Sequence, residues 1–345
     1  MLKIENIKLP PGAGMAELTA EAARLLRVKE FVSLRVLRRS VDARDGVQLV
    51  YTVEAIVKDE TAVLRRCRSR KVSRMERPKP YALPDPISPP EIPPVVVGAG
   101  PGGLFAALVL AQAGLRPILL ERGRPVEQRR ADVERFWSGG GLDETSNVQF
   151  GEGGAGTFSD GKLNTLVKDP SGRNKKVLEI LAEAGADPSI TYVNKPHVGT
   201  DVLSLVVKNI RQEIIRLGGE IRFNCKMTDF TDEKGQLTSI TASQRQEDGS
   251  FKEEIIPAQA VVLAIGHSAR DTFSMLAGKE LDLQAKAFAV GLRIQHPQSQ
   301  INLSQYGMEN PGSLGAASYK LTKQTSSGRG VYSFCMCPGG FVVNA

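Results

Sequence analysis

The sequence is poor in the residues that build disulfide frameworks and metal sites. Its 345 residues include only four cysteines and three histidines. No two cysteines form a C-x-x-C pair, and the histidines are scattered without metal-ligand spacing. This pattern argues against a disulfide scaffold and a zinc site, and it predicts no metal centre. The opening residues also lack the apolar core of a secretory signal, so we expect a reducing, cytoplasmic setting.

An excess of positive charge is missing from most of the chain and is confined to its first part. Residues 1–90 carry 18 Lys and Arg against 11 Asp and Glu, whereas the other residues carry 27 of each class. A basic face of this kind can bind nucleic acid or an acidic partner. No stacking aromatics accompany the arginines, so we favour a solvated face whose arginines pair with a neighbouring domain, and nucleic acid is not an expected partner. The clustered basic residues are Arg35, Arg38, Arg39, Arg44, Arg65, Arg66, Arg68, Arg70, Lys71 and Arg74.

Residues 1–77 show the periodicities of a small α/β module. Leu2, Ile4 and Ile7 predict a strand, and a stripe from Met15 to Leu26 predicts a helix. Two more strands and a short helix near residues 61–66 give a β-α-β-β-α order, which is typical of a ferredoxin-like module. Residues 78–94 then hold eight of the 20 prolines, which predicts an extended, stiff linker.

A glycine turn organises the rest of the chain. Gly98, Gly100 and Gly103 have the G-x-G-x-x-G spacing and stand between an apolar strand at 95–97 and a predicted helix. This arrangement binds a dinucleotide pyrophosphate at the helix N-terminus. Glu121, 23 residues after Gly98, ends a second predicted strand, where an acidic side chain can accept hydrogen bonds from both ribose hydroxyls. A 2′-phosphate would meet a like charge there, so NADP is disfavoured.

A transmembrane interpretation of this region is disfavoured. Residues 92–115 contain no charged residue and are long enough to span a bilayer. However, prolines and glycines interrupt the run, and Glu121 follows where a nucleotide-binding fold requires it. We therefore expect no membrane segment.

A second glycine-rich segment covers residues 151–163. Residues 156–162 nearly match a P-loop, but Leu163 replaces the Ser or Thr that binds magnesium, and no apolar strand precedes the loop. We interpret the segment as flexible backbone that approaches a flat ring or a phosphate, with Lys162 as a nearby cation.

The elements after residue 200 favour FAD over NAD. A helix at 201–217, a strand at 220–225 and a hairpin around Asp248 are followed by a buried strand that ends at Gly266. A parallel strand, a β-meander and a strand ending in Ala-x-Gly are the order expected of a long FAD-binding fold. The predicted fold class is therefore α/β, with a Rossmann-like FAD-binding domain over residues 95–274, a parallel sheet with a β-meander, and FAD as the cofactor.

Six runs of sequence carry a specific resemblance, at residues 37–44, 97–107, 150–165, 264–272, 288–298 and 332–340. They resemble one known family, the bacterial FAD-dependent dehydrogenases of poorly known substrate that are often described as NAD(P)/FAD-dependent oxidoreductases. Long FAD-binding folds end with a late strand whose acidic residue binds the ribityl chain, and nothing after Gly266 supplies that element. We therefore expect a C-terminally truncated member, with residues from about 275 to 345 as part of a β-rich substrate domain.

The resemblance also implies a set of cofactor-binding residues. The first turn would hold the pyrophosphate, Glu121 and its neighbour Arg122 the adenosine side, and the second glycine segment the pyrophosphate or the isoalloxazine. Met227 would contact adenine through its backbone, and Gly266 would close over the same end. The remaining members are Gly98, Gly100, Pro101, Gly102 and Gly103 in the first turn and Gly153, Gly154, Gly156, Ser159, Asp160 and Lys162 in the second segment.

The predicted chemistry is hydride transfer through flavin N5 to or from a small-molecule substrate. No second glycine turn stands between a predicted strand and a helix, so an NAD(P)H donor would have to dock transiently. Cys335 and Cys337 share one face of a predicted strand and are candidates for a thiol relay, although we favour two small buried hydrophobes. Three alternatives remain open: an NAD-linked dehydrogenase, a flavin-dependent RNA-modifying enzyme that docks through the basic module, and a degenerate dinucleotide-binding module.

Overall fold

The computed structural model describes most of the chain, with a few short gaps. Three of the predicted site residues, Ser159, Asp160 and Cys335, lie outside the described residues, and the predictions made for them stay predictions. The described residues are 1–67, 69–77, 79–158, 161–163, 168–334, 336–338, 340 and 342–344.

The first 74 residues form an antiparallel sheet with two helices packed on it. The strand order is β2-β3-β1-β4, which with the order of elements is the ferredoxin-like arrangement predicted from the periodicity. The last strand was not foreseen, and it completes the β-α-β-β-α-β unit. The elements are β1 (Leu2–Leu9), α1 (Met15–Leu26), β2 (Ser33–Asp42), β3 (Gln48–Ile56), α2 (Glu60–Arg66) and β4 (Val72–Arg74).

A β-bulge explains the spacing of apolar residues in β1. The pairing of β1 with β3 shifts register between Ile4 and Ile7, and Asn6 has a φ of 55°. The extra residue returns Ile7 to the core face, so that both isoleucines are buried although they are three positions apart. In α1 the predicted stripe faces this core, except that Met15 is 53% exposed.

A four-stranded parallel sheet lies at the centre of the following region. Its order is β11-β5-β6-β7, so β5, the first of these strands in the chain, lies between β11 and β6. The strand order reverses at β5, as in doubly wound nucleotide-binding folds, and the three-stranded meander β8-β9-β10 is inserted before β11. The strands are β5 (Val95–Val97), β6 (Ile118–Leu120), β7 (Glu220–Arg222), β8 (Cys225–Glu233), β9 (Gln236–Arg245), β10 (Phe251–Pro257) and β11 (Val261–Leu263).

The parallel sheet is the middle of three layers. On one face, Val96 and Leu119 pack against the helices, chiefly α3 and α6. On the other face, Val97 and Leu120 join a core with the meander, which includes Met227. Burial on both faces explains why the two inner strands, β5 and β6, are continuous apolar runs in the sequence. The edge strand β11 was predicted to be buried, but its Val262 and Leu263 are 40% and 41% exposed. The helices are α3 (Pro101–Gln112), α4 (Val126–Trp137), α5 (Arg173–Glu183), α6 (Thr200–Arg216) and α7 (Arg270–Gly278).

The uncharged stretch at residues 92–115 divides between β5, the glycine turn and α3, so it is no single helix. Among the described residues, no helix has both the length and the apolar character needed to cross a membrane. The proline-rich residues before β5 contain neither helix nor strand in the part that the structure describes. Within them, Ile87 N–H donates to Ala113 O over 2.9 Å. The linker therefore runs against the C-terminal end of α3.

The described residues from 279 onward contain little regular structure. They form α8 (Gln298–Tyr306) and a hairpin of β12 (Thr322–Gln324) with β13 (Gly330–Tyr332). The predicted β-rich character is therefore met here only by this short hairpin. The apolar side chains at residues 288–294, before α8, are exposed to solvent, and Leu292 is 100% exposed. The domain boundaries drawn at residues 77, 94 and 274 remain predictions.

Candidate functional site

The candidate site lies at the carboxyl edge of the parallel sheet, between β5 and β11. Gly98 N–H donates to Leu120 O over 2.7 Å, and Ala264 N–H donates to Val97 O over 2.8 Å. The turn after β5 and the loop after β11 therefore meet where the strand order reverses. Ligands of open α/β sheets bind in the crevice at this point.

The three glycines of the first turn have different surroundings. A Cβ on Gly98, whose φ is +101°, would lie 2.5 Å from Ala264 O, and a Cβ on Gly103 would lie 1.7 Å from Gly98 O. Packing within the protein thus requires both glycines. At Gly100 a Cβ would meet no atom within 4 Å, and its φ of −69° suits any residue. Gly100 is therefore not needed for packing and instead leaves open space over the turn.

The N-terminus of α3 faces the same turn without a side-chain cap. Gly100 is the N-cap residue, Pro101 occupies the first turn, and that turn holds no acidic residue. The first N–H groups of a helix have no partner within the helix, and the dipole adds positive charge there. Pro101, Gly102 and Gly103 therefore form a helix end suited to an anion.

The second glycine segment packs on the first. Gly153 N–H donates to Ala99 O over 2.8 Å, and a Cβ on Gly154 would lie 3.0 Å from Pro101 Cδ. Residues 151–156 repeat the G-x-G-x-x-G spacing. No strand precedes them, however, and they lead into a 3-10 helix (Gly154–Phe158), so they are not a second dinucleotide turn. Gly156 in this short helix faces Leu203 of α6.

Arg129 of α4, which the sequence analysis missed, fixes the second glycine segment. Its side chain is fully buried, and its guanidinium carbon lies 4.7 Å from the centroid of the Phe158 ring. Burial lowers the pKa of Arg129 to about 10. A signal was present in the sequence, because Arg129 shares a face of α4 with Val126 and Val133. Its side chain donates to the carbonyl oxygens of Asn147 (2.8 Å), Val148 (2.9 Å), Glu152 (2.7 Å) and Gly154 (2.8 Å) and to Thr157 Oγ1 (3.1 Å).

Glu121 holds both glycine segments together. Its carboxylate is only 4% exposed and accepts the backbone N–H groups of Ala99 (2.7 Å), Gly123 (2.9 Å) and Gly151 (3.0 Å). A carboxylate has about four acceptor positions, so one remains for a further donor. The sequence predicts that Glu121 accepts both ribose hydroxyls, and this role stays a prediction.

Arg122 links the end of β6 to α7. Its guanidinium pairs with Asp271 over 2.9 Å, donates to Thr272 Oγ1 over 3.1 Å, and lies 4.3 Å from the centroid of the Phe150 ring. Burial of Asp271 opposes ionisation, but the hydrogen bonds and charges of Arg122 and Lys226 outweigh it, so the pKa of Asp271 falls to about 2. Arg122 is therefore occupied by protein groups.

Glu152 is a second buried carboxylate beside the glycine segments. It is fully buried, and its Oε2 accepts from Val126 N–H (2.8 Å) and pairs with Arg211 (2.9 Å). Its Oε1 has no hydrogen-bond partner among the described residues. Burial raises the pKa of Glu152 to about 7.

The other predicted residues are more dispersed. Met227 is 4% exposed, with its side chain in the core between sheet and meander, so only its backbone could face a ligand. Gly266 has a φ of +70° in the loop after β11, with no atom within 4 Å of a Cβ. Lys162 lies at the far end of the second glycine segment, where its backbone pairs with that of His197 in an isolated antiparallel β-bridge. Cys337 is half-buried, and the described residues hold no cluster of metal-ligating side chains.

Comparison with known proteins gives one extensive sequence relative. An uncharacterized protein of Clostridium beijerinckii is 46% identical over 350 residues, which cover 100% of this chain and 64% of that protein. The chain thus spans a little under two thirds of the length of this relative.

Among solved structures, THI4 of Thermovibrio ammonificans has 17% identity and a TM-score of 0.37, covering 55% of this chain and 64% of its own. A 3-ketosteroid dehydrogenase of Rhodococcus jostii has 15% identity and a TM-score of 0.32, covering 53% and 48%. Both TM-scores are low, so the fold assignment rests on the strand order and the family models.

Three family models match parts of the chain. Residues 1–58 match a domain of unknown function, residues 94–187 match an FAD binding domain, and residues 287–345 match the C-terminal domain-like region of FAD-dependent proteins. The second match contains both glycine segments and Glu121. The predicted Rossmann-like FAD-binding fold and the predicted cofactor FAD are confirmed.

Proposed function

We propose that this chain is the FAD-carrying part of an oxidoreductase that transfers a hydride through flavin N5 to or from a small-molecule substrate. The observation that carries the proposal is the open space at Gly100, between two glycines that packing requires. A glycine that the fold does not need, at the N-terminus of an uncapped helix, is best explained by a group that must approach the backbone closely. The match to an FAD binding domain over residues 94–187 supports the pyrophosphate of FAD as that group.

The residues of the chain would hold this cofactor by charge and by pre-formed shape. The N–H groups and dipole of α3 would offset the pyrophosphate charge next to Gly100. Glu121 fixes Ala99 on one side of the turn, and Gly153 fixes it on the other. Because these hydrogen bonds join protein groups to one another, little backbone freedom would be lost on binding. Bound FAD would supply the redox chemistry itself.

The alternatives have weaker support. An NAD-linked dehydrogenase does not account for the meander or for the FAD-related matches. An RNA-binding role for the basic module gains no support from the cluster members that are engaged within the protein. Arg38 donates to Asn194 over 2.5 Å, and Arg35 pairs with Glu54. We propose a nicotinamide nucleotide as a transient electron donor, because the second glycine segment is not a second dinucleotide turn.

A pair of valine substitutions tests the proposal. Gly100→Val should leave the FAD-free fold unchanged, since its Cβ enters open space at an ordinary φ, but it should abolish FAD retention. Gly141→Val is the matched control, because Gly141 also has no atom within 4 Å of a Cβ. The measurements are FAD content after extraction, circular dichroism, and flavin reduction by NADH and NADPH under anaerobic conditions.

The proposal predicts that the wild type and Gly141→Val bind FAD in equal amounts and that their flavin is reducible. It would be refuted by equal FAD content in Gly100→Val, or by a wild-type protein that binds no FAD when FAD is added in excess.

A further inference from the structure

The N-terminal module is joined to a later part of the chain at the edge of its sheet. Its strand β2 lies at one edge of that sheet. There Arg39 N–H donates to Tyr192 O, and Arg39 O accepts from Asn194 N–H, both over 2.8 Å. These bonds make a parallel bridge between Arg39 and Val193. Residues 192–194 therefore satisfy backbone groups that an edge strand would otherwise leave unpaired.

Side chains add to this backbone pairing. Arg38 Nη2 donates to Asn194 Oδ1 over 2.5 Å, and the guanidinium carbon of Arg39 lies 5.9 Å from the centroid of the Tyr192 ring. Both arginines belong to the basic cluster of the module. Their contacts with residues 192–194 make the pairing specific in its side chains as well as in its backbone.

The paired segment leads directly into α6. The structure describes every residue from 192 to 216, so this connection has no gap. Val198 is 3% exposed and belongs to the core between the parallel sheet and the helices, and Gly199 is the N-cap residue of α6. The helix begins at Thr200, six positions after Asn194. The edge of β2 therefore fixes the start of α6.

Helix α6 in turn supports the second glycine segment. A Cβ on Gly153 would lie 3.2 Å from Val207 Cγ2, and Arg211 pairs with Glu152 over 2.9 Å. Gly153 is also the residue whose N–H donates to Ala99 O in the first turn, over 2.8 Å. A displacement of α6 would therefore disturb the second glycine segment at the point where it packs on the first.

We propose that the N-terminal module is a positioning domain for the flavin site. By holding residues 192–194 at the edge of β2, it keeps α6 against the second glycine segment, and Arg38 and Asn194 are positioning residues. Residues 1–58 match a domain of unknown function, and the proposal gives this domain a role. The consequence for FAD rests on the proposed function. If undocking lowers the fraction of molecules that can bind FAD, the apparent dissociation constant rises by the same factor.

Five variants test the proposal. Asn194→Pro removes the N–H that donates to Arg39 O and also the side-chain acceptor of Arg38. Asn194→Ala and Arg38→Ala each remove only the side-chain hydrogen bond, whereas Asn194→Asp keeps an acceptor for Arg38. Arg65→Ala, which truncates an exposed arginine on α2 of the same module, is the matched control.

The first measurement is hydrogen exchange on the FAD-free proteins, followed by mass spectrometry in the peptide that contains Gly153. We expect exchange to be about tenfold faster or more in Asn194→Pro and about threefold faster in the two alanine variants. Asn194→Asp and Arg65→Ala should match the wild type. Unchanged exchange in Asn194→Pro would overturn the positioning role, and if circular dichroism shows that this variant is unfolded, unchanged exchange in both alanine variants would do so.

The second measurement is titration of the FAD-free proteins with FAD. The dissociation constant should rise by the same factors, and the double variant of Arg38→Ala and Asn194→Ala should bind as either single variant does. At saturation the flavin absorbance spectrum should equal that of the wild type, because these residues act through α6. An altered spectrum, or equal dissociation constants in all variants, would overturn the role in FAD binding. If the wild type binds no FAD, the proposed function fails, and hydrogen exchange still decides whether the module positions the glycine segment.

Discussion

Replacing Glu121 by glutamine should destabilise the FAD-free protein, because the carboxylate joins two glycine segments through backbone N–H groups of the protein itself. It accepts three backbone N–H groups at 2.7 to 3.0 Å and is 4% exposed. The glutamine oxygen can take the place of Oε1 and accept from Gly123 and Gly151. Its NH₂ group then faces the N–H of Ala99, a fully buried residue, and that hydrogen bond is lost.

The expected magnitude follows from these three bonds. A hydrogen bond to a charged group contributes about 1.5–3 kcal/mol, and one to a neutral group about 1 kcal/mol. Glu121→Gln loses one such bond and weakens the other two, while it also removes a buried charge that costs desolvation energy. We expect the unfolding free energy of the FAD-binding region to fall by about 3 kcal/mol. With an m-value of about 3 kcal/mol/M, the urea midpoint falls by about 1 M.

Fluorescence of Trp137, the only tryptophan, reports this transition locally. It ends α4, is 40% exposed, and its ring lies 6.0 Å from that of Phe158 in the second glycine segment. Glu213→Gln, which removes a carboxylate paired with Arg216 on the surface of α6, is the control and should shift the midpoint little. An unchanged midpoint in FAD-free Glu121→Gln, together with weaker FAD binding, would show that the carboxylate serves only the ribose and would refute the reasoning.

Two further predictions concern the same region. Gly103→Ala should prevent the first turn from forming, because its Cβ would lie 1.7 Å from Gly98 O. Gly102→Ala is the control and should melt close to the wild type, because the nearest atom to its Cβ is 3.8 Å away. Equal melting temperatures of the two variants would contradict this prediction. Burial raises the pKa of Glu152 to about 7 from an ordinary value of 4.5, so the folded state keeps its proton longer than the unfolded state, and stability is lost as pH rises through this interval. Relative to Glu152→Gln, the wild type should lose up to about 3 kcal/mol between pH 4.5 and pH 7, measured by urea unfolding at several pH values. Parallel pH profiles of the two proteins would refute the assignment.

The sequence was most informative where local pattern and packing agree. The G-x-G-x-x-G spacing predicted the turn because two of its glycines are required by contacts within the turn and with Ala264. The hairpin of β9 and β10 was predictable because the turn at Asp248 and Gly249 has standard chemistry. The strand β8 was not predicted, because the predicted strand at 220–225 divides into the end of β7 and the start of β8. The family match to an FAD binding domain then confirmed the cofactor.

Contacts between distant parts of the chain could not be predicted in this way. No periodicity shows that Glu121 would accept the N–H of Gly151, 30 residues later, or that Arg39 would pair with residues 192–194. The bulge at Asn6 was hidden because a strand pattern assumes a constant period. Arg129 shows a different limit, since an arginine in a charged helix is usually exposed and only its shared face with two valines marks it as buried.

The fixed geometry of the glycine segments needs an explanation, because glycine backbone loses more conformational freedom on folding than that of any other residue. Apolar packing cannot hold such backbone, since it has no side chains to bury. Such backbone must therefore be held through hydrogen bonds to its N–H and C=O groups. Glu121 accepts from the N–H groups, and Arg129 donates to the carbonyl oxygens. These two opposite charges are buried where hydrogen bonds are strong, so the segments are held ready for a ligand by charge rather than by apolar contact. The acidic residue that identifies the nucleotide-binding fold in the sequence is thus also a structural link, and Glu121→Gln separates the two roles.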